Sequence, residues 1–261
     1  GFSTHDASIG YFNSAPIELI AGFFSLVAAV NFALFFLAWR SRSLTVVFRD
    51  AEFQFCMVVM AGIIALTCGY LYISGKLPLW ESIYHGFFQT ASIITDNGLV
   101  TTGYPGDWPF VVPLLLLLGS FFGGCVGSTC GGIKAFRFLL LFKQSLREAR
   151  LLVRPTAQIA VKVGNRPMSD RVMQAVWGFY FLYILSYCFF SFALAMTGVD
   201  LVTAFGSVAG CLNNMGVGLG ETAVGFGPLN DAATWLLSAS MVVGRLEVFP
   251  LLLLFLPDFW K

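Results

Sequence analysis

Long apolar runs separated by short polar and charged segments organise this chain. A helix needs about 20 mostly apolar residues to cross a bilayer. Ile20 to Trp39, Phe53 to Ser74, Pro109 to Gly127 and Val172 to Thr197 approach or exceed that length without a charged residue. Ser25 and Asn31 are the strongest polar groups in the first run, and the third becomes Gly-rich at its end. A fifth run, Ala232 to Trp260, is long enough but holds Arg245, Glu247 and Asp258. Pro250 and Pro257 are expected to kink or end it. The pattern predicts five spanning helices.

Two further apolar runs, Trp80 to Ile94 and Val199 to Leu212, are too short to span and suit re-entrant or buried helices. Each follows a full span, ends in a polar turn containing glycine, and precedes another full span. Placing 87–98, FFQTASIITDNG, over 205–216, FGSVAGCLNNMG, gives an offset of 118 that aligns Phe87 with Phe205, Ala91 with Ala209 and Gly98 with Gly216. An offset of 97 sets Gly1 on Gly98, Pro16 on Pro113, Gly22 on Gly119 and Phe24 on Phe121.

A repeat of this kind sets the architecture. Residues 1–51 read as the end of one unit, with a filter end, an inner helix and a loop. Residues 52–132 form a complete unit with a pore loop and a broken inner helix, 133–171 a connector, and 172–261 a second complete unit. The chain is then expected to be part of a longer protein, because Gly1 falls at a pore-loop turn. The expected fold is all-α and membrane-embedded. Its units of spanning helix, pore helix, filter loop and spanning helix surround a pore.

Composition agrees. The chain is 57% hydrophobic and 11% charged, whereas a soluble domain carries about 25% charged residues. A net charge of +1 gives no reason to expect a nucleic-acid partner. The distribution of charge says more. Of 15 Lys and Arg residues, three (Arg40, Arg42, Arg49) lie in 40–52 and nine, from Lys134 to Arg171, lie in 133–171. The opposite-side segments hold Lys76 beside Asp6, Glu81, Asp96, Asp107, Asp200, Glu221 and Asp231. The positive-inside rule places 40–52, 133–171 and the C-terminal Lys261 in the cytoplasm, and the short helices and their turns outside. The expected location is the plasma membrane, the inner membrane if the cell is Gram-negative. Trp80, Tyr104, Trp108 and Trp235 fit an outer aromatic belt, and Trp39, Trp177 and Trp260 an inner one. The basic stretch Arg154 to Arg171 is a solvated loop or a docking surface.

Cys56, Cys68, Cys125, Cys130, Cys188 and Cys211 show no metal spacing and read as small buried hydrophobes. His5 and His85 show no ligand spacing and receive no function. No HExxH, GxSxG or intramembrane Asp–Asp pair appears, so an enzyme is not expected.

The turns suggest cation chemistry. Backbone carbonyls at membrane depth can replace a cation's hydration shell. The C-terminal end of a short helix adds partial negative charge, and a glycine permits the positive φ that aims carbonyls inward. The candidate ion-binding residues are Gly1, Thr95, Asp96, Asn97, Gly98, Asn213, Asn214, Met215 and Gly216. Gly123, Gly124, Gly127, Gly131 and Gly132, with Ser128 and Thr129, crowd a ten-residue window. They suit tight helix packing or a broken helix that gates a cavity by moving. Lys134 and Arg137 mark the cytoplasmic boundary of that span. Arg245 is an electrostatic barrier in the pore or half of a structural ion pair, with Glu247 an uncertain partner on another helix face.

The segment Gly123–Arg137, GGCVGSTCGGIKAFR, resembles the broken inner helix of the third repeat in Trk/Ktr/HKT-type potassium transporters, especially the bacterial Trk-type subunit. CLNNMGVGLG at 211–220 resembles its fourth filter, and Gly244–Phe249, GRLEVF, its last inner helix. Val163-Gly164-Asn165-Arg166 and Ala175-Val176-Trp177-Gly178-Phe179 resemble the connector and the helix after it, and Gly1–Asp6, GFSTHD, the end of the second filter. The resemblance covers nearly the whole chain. It implies four repeats around one pore, of which about two and a half are present here.

It also implies a K⁺ pathway lined by one glycine per filter, here Gly1, Gly98 and Gly216, with potassium as the bound ion. The Gly-rich break at Gly123 to Gly132 would be a gate below the filter, with Arg245 contributing. A homodimer in membrane lipid and a cytosolic nucleotide-binding regulatory ring are implied as well. One departure stands out. The third filter reads Thr95-Asp96-Asn97-Gly98-Leu99, where many members are Thr-rich with an aromatic after the glycine. Asp96 raises local cation affinity or sits outside the lining. The alternatives are a Na⁺-permeable or Na⁺-coupled relative, and a non-conducting fragment that docks a partner through 133–171. An incomplete ring leaves polar backbone facing lipid, so residues 1–261 alone are expected to give no selective K⁺ conductance.

Overall fold

The computed structural model describes residues 3–156, 159–164, 166–223, 225–254 and 256–260. The expected filter residue Gly1 lies outside the described residues, as do Asn165 of the connector and Lys261.

The first unit contributes α1 (Ala15–Ala28) and α2 (Phe32–Ser41), followed by the single-turn α3 (Thr45–Phe48). Next come α4 (Ala51–Ile73), the short α5 (Leu79–Ile94), α6 (Val111–Ser120) and α7 (Ala135–Val153). A two-residue strand pair, β1 (Lys162–Val163) against β2 (Arg166–Pro167), folds the connector back on itself. The pattern then recurs as α8 (Asp170–Ala195), the short α9 (Leu201–Leu212), α10 (Asp231–Arg245) and α11 (Val248–Leu254).

Helix starts are written in side chains. Asp50, Ser169, Asp200 and Asn230 each accept from the backbone N–H three residues on, opening α4, α8, α9 and α10. Each bond satisfies a donor that has no acceptor inside its own helix. Among the described residues, α4 and α8 are long and apolar enough to cross a membrane, and α1 with α2 qualifies as a bent pair. Large apolar side chains on their outer faces, such as Phe36, Val58, Leu66, Phe181 and Phe189, are exposed, as lipid contact requires.

The short helices are buried instead. α5 packs against α1, α4 and α6, and α9 against α8 and α10. From Phe88 to Ile94 every residue of α5 is buried. The two units meet in a core of Leu71, Ile93, Leu116, Ala209, Met215 and Leu219.

All three inner helices are broken, where the sequence led us to expect a Gly-rich break only in the second. α1 and α2 bend by 86°, so Ile20 to Trp39 is not one straight span. Asn31 is the reason: its side chain accepts from the Ala33 N–H at 2.9 Å and starts a new helix. In the next unit α6 stops at Ser120, and residues 121–134 run outside α-helix before α7. The helical part of the Pro109 to Gly127 run is correspondingly short. In the last unit α10 ends at Arg245 and α11 begins at Val248, with Glu247 at φ 56° between them. Pro250 does not cause this break. It sits in the first turn of α11, where its missing N–H leaves no bond unmade. Offsets of 97 and 118 bring Ala29, Val126 and Gly244 together, so the breaks share one level of the repeat.

The aromatic belt also needs correction. Tyr104 and Trp108 are buried and meet edge to face at 5.3 Å inside the inter-unit core. Trp39, Trp80, Trp177, Trp235 and Trp260 are exposed as expected. Of the free cysteines, Cys56, Cys125, Cys130 and Cys211 are buried, and Cys68 and Cys188 are half-buried.

A methyl group at Gly244 would stand 1.8 Å from the Leu212 carbonyl oxygen, whereas one at Gly69 meets nothing within 4 Å. Gly244→Ala is therefore expected to lose about 1–3 kcal/mol of stability through overpacking. Gly69→Ala is expected to gain roughly 0.5–1 kcal/mol from helix propensity. Thermal unfolding in detergent checks both; an unchanged midpoint for Gly244→Ala contradicts the contact.

Candidate cation pathway

The short helices end in two turns that match bond for bond. At the end of α5, Thr95 N–H donates to Ala91 at 3.1 Å, Asp96 to Ile93 at 3.1 Å, and Asn97 to Ser92 at 2.9 Å. At the end of α9, Asn213 donates to Ala209 at 3.0 Å, Asn214 to Cys211 at 3.0 Å, and Met215 to Gly210 at 2.8 Å. Gly98 and Gly216 add bonds to Ser92 and Gly210 at 3.4 and 3.0 Å. Donors and acceptors all differ by the offset of 118. Asp96 and Asn214 take φ 57° and 60°, and Gly98 and Gly216 take φ 73° and 81°. Asp and Asn are among the non-glycine residues that tolerate this region best. The chain thus leaves each buried helix through two left-handed residues, one of them glycine.

Several of the expected ion-binding side chains brace these turns from behind. Asn213 is fully buried; it accepts from the Tyr183 hydroxyl and donates to Ser120 Oγ at 2.7 Å. Met215 is buried in the inter-unit core, and Thr95 is buried as well. Asn97 is exposed, and its Nδ2 donates to Ser25 Oγ of α1 at 2.8 Å. Asn214 Nδ2 reaches the Leu212 and Met241 carbonyls at 3.4 Å each. The two Asp96 carboxylate oxygens are buried against Gly131 without a well-formed hydrogen bond, and Lys134 is the neighbouring countercharge. Thr95, Asp96, Asn97 and Thr129 share a cavity of about 480 Å³ beside α1. Asn214 and Gly216 line another of about 340 Å³.

The Gly-rich segment forms one compact loop, 121–134, lodged against the break between α1 and α2. Cys125 N–H donates to the Ala29 carbonyl at 2.9 Å, and Phe32 N–H to the Gly127 carbonyl at 3.2 Å. Thr129 Oγ1 donates to the Ala28 carbonyl at 3.3 Å. The carboxylate of Glu52, in the first turn of α4, accepts from Val126 N–H at 2.6 Å. Two broken helices thereby satisfy each other's loose backbone groups. The loop also presses on the second turn: a methyl group at Gly131 would lie 1.9 Å from the Asn213 carbonyl oxygen.

Gly127, Ser128, Gly131, Gly132 and Arg245 line a cavity of about 310 Å³, so residues far apart in sequence come together. Gly123 lies behind them, against the Gly131 carbonyl, and Gly124 against the side chain of Cys130. Arg245 Nη1 donates to the Thr129 carbonyl at 3.4 Å. Glu247 pairs with Arg137 at 2.5 Å, which settles the uncertain partnership. Arg137 also donates to the Ile133 carbonyl at 2.9 Å and stands 3.8 Å over the Phe179 ring. It is a tie between α7, α8 and the last break, and more than a boundary charge. Lys134 donates to the Cys130 carbonyl across the loop.

Sequence reasoning missed Glu52, Glu18 and His85. His85 Nδ1 lies 2.9 Å from Glu18 Oε2 and 2.6 Å from Thr101 Oγ1, all three buried. A histidine in a helix expected to be buried needs a partner, and that was the available signal. Nothing local marked Glu18 or Glu52, each an acid at the edge of an apolar run.

Paired spanning and short helices, matched glycine turns and an inserted loop define an integral membrane protein of pore-loop, potassium-channel-like architecture. Residues 1–261 match the model of a family described as TrkH: Cation transport protein, and the chain belongs to that family. It is 47% identical over 261 residues to the Trk system potassium uptake protein TrkG of Escherichia coli K12, covering all of this chain and 54% of the relative. It is 44% identical over 261 residues to the Trk system potassium uptake protein TrkH of Halomonas elongata, again covering all of this chain and 54% of the relative. The crystal structure of the potassium transporter TrkH from Vibrio parahaemolyticus superposes with a TM-score of 0.94 at 44% identity, covering all of this chain and 56% of that one. The chain thus spans about half the length of the relatives it matches.

Removing the Glu52 carboxylate leaves Val126 N–H without its anchor. A hydrogen bond to a charged group contributes about 1.5–3 kcal/mol, so Glu52→Ala is expected to open the loop at least about tenfold more often. Maleimide labelling of Cys125, with the other cysteines replaced, reads this directly. An unchanged labelling rate contradicts the anchoring role.

Proposed function

We propose that this chain supplies part of a potassium uptake pathway across the plasma membrane. The turns at Thr95–Gly98 and Asn213–Gly216, with Gly1 at the corresponding position of the preceding repeat, form successive sides of a K⁺ filter. K⁺ is the transported substrate. Its ligands are backbone carbonyls around Gly98 and Gly216, while Asn213, Met215 and Thr95 hold that backbone in place. Asp96 lines the cavity next to the path. One observation carries this reading: the two turns share hydrogen bonds, left-handed residues and glycines at a constant offset. The names of the relatives, potassium uptake proteins, agree with it.

The loop from Gly123 to Gly132, including Gly124, Gly127, Ser128, Thr129 and Gly131, acts as the gate, and Arg245 latches it. The supporting geometry is its position against Asn213 and its anchorage at Ala28, Ala29 and Glu52. The repeat division at 1–51, 52–132, 133–171 and 172–261 follows from the same offsets. Segments 40–52 and 133–171 face the cytoplasm, on the charge asymmetry. A homodimer and a cytosolic nucleotide-binding ring are the partners we assign.

A serine at φ 73° or 81° costs about 1–2 kcal/mol relative to glycine. Gly98→Ser and Gly216→Ser in the full-length protein are therefore expected to lower the K⁺-over-Na⁺ preference about tenfold. Ion flux into proteoliposomes measures this. A wild type without K⁺ preference, or one indifferent to both substitutions, would overturn the filter reading. Deleting 125–130 is expected to raise flux, and unchanged flux would sink the gate.

A further inference from the structure

The third filter turn continues into a non-helical segment, 99–102, and each of its residues is held. Ser92 Oγ donates to the Leu99 carbonyl at 2.7 Å. Val100 N–H donates to Ser8 Oγ at 3.2 Å, and its carbonyl accepts from Gly10 N–H at 3.1 Å. Thr101 N–H donates to Gln89 Oε1 at 2.9 Å, and Thr102 Oγ1 to the Gly10 carbonyl at 3.2 Å. All five of these bonds come from ordinary neutral partners on α5 or the preceding unit.

The remaining anchor is different. Thr101 Oγ1 lies 2.6 Å from Glu18 Oε1 and 2.6 Å from His85 Nδ1, and Glu18 Oε2 lies 2.9 Å from the same Nδ1. An ionised carboxylate only accepts, and a hydroxyl carries one proton. The consistent assignment has Thr101 donating to Glu18, and His85 Nδ1–H shared between Glu18 and the Thr101 oxygen. Glu18 and Thr101 are 0% and 2% exposed and His85 is 5% exposed. The three residues come from the inner helix of one unit, the short helix of the next, and the segment that follows the filter glycine. The offset of 118 carries His85 to Thr203 and Thr101 to Leu219, and the offset of 97 carries Glu18 to Leu115; in the last unit Thr203 Oγ1 accepts instead from Glu221 N–H at 3.0 Å.

Resting on the proposed potassium pathway, we infer that Glu18, His85 and Thr101 are positioning residues that set the ion discrimination of the third filter from behind. The clamp lies three residues beyond Gly98 and touches no ion itself. It fixes where the backbone after Gly98 runs, and with it how closely the carbonyls can contract around a smaller cation. Buried polar networks of this kind specify a single geometry when every member is satisfied. Because the clamp joins two units, it also fixes the spacing between adjacent sides of the filter.

The test uses the full-length protein in proteoliposomes, with K⁺ and Na⁺ fluxes measured separately and thermal midpoints recorded for each variant. Thr101→Val keeps the shape and removes the hydroxyl. It is expected to lower the K⁺-over-Na⁺ ratio about tenfold, the loss of one charge-assisted bond, by raising Na⁺ flux. Thr101→Ser restores the hydroxyl and is expected to restore the ratio. Glu18→Gln keeps the volume and is expected to lower the ratio in the same direction. A Thr101→Val protein with the wild-type ratio overturns the inference, even if its thermal midpoint falls. Equal ratios in Thr101→Val and Thr101→Ser overturn it too. A wild type lacking K⁺ preference sinks the transport reading itself, and is seen before any variant is compared.

Discussion

A backbone N–H or C=O that leaves a helix inside a membrane has no water to turn to, and it must find its partner within the protein. That constraint shapes this chain more than any side-chain chemistry. Three inner helices break at one level of the repeat. Two of the breaks interlock, the Cys125 N–H and Thr129 hydroxyl reaching the Ala29 and Ala28 carbonyls, and Gly127 receiving Phe32 N–H. At the third, Arg245 reaches across to the Thr129 carbonyl and Glu247 to Arg137. Non-helical backbone survives at this depth because each piece completes another.

The same constraint explains the glycines. Backbone can complete backbone only at close range, and a Cβ at Gly131 or Gly244 would stand within 2 Å of the Asn213 or Leu212 carbonyl oxygen. Both contacts fall on the turn that ends α9. The filter turn of the last unit therefore rests on the Gly-rich loop from one side and on the inner helix α10 from the other. Under the proposed function, loop movement cannot leave that turn undisturbed, which couples gate to filter through packing alone.

Much of this was legible in the sequence. Apolar run length separated α4 and α8 from the short α5 and α9, and the offset of 118 located turns that match bond for bond. What run length does not encode is direction. Ile20 to Trp39 reads as one span because hydropathy ignores that Asn31 is a helix-capping residue, and Asn31 turns the chain through 86°. Pro250 drew attention as a helix breaker, yet a proline in the first turn of a helix breaks nothing. Asn213 and Met215 read as filter residues in the sequence because they stand within three residues of Gly216. Alternation around a turn sends them backward, to Ser120 and Tyr183 and into the inter-unit core. The Glu18–His85–Thr101 cluster spans 83 positions of sequence, and no local pattern connects its members.

The central claim is that backbone around Gly98 and Gly216 presents ligands to a cation. Rubidium scatters anomalously and substitutes for potassium, so crystals of the full-length protein grown in Rb⁺ place the ion directly. The account predicts an anomalous peak between the two turns, at the level of Gly98 and Gly216, which weakens when Na⁺ replaces Rb⁺. Rb⁺ peaks confined to sites away from both turns would contradict it.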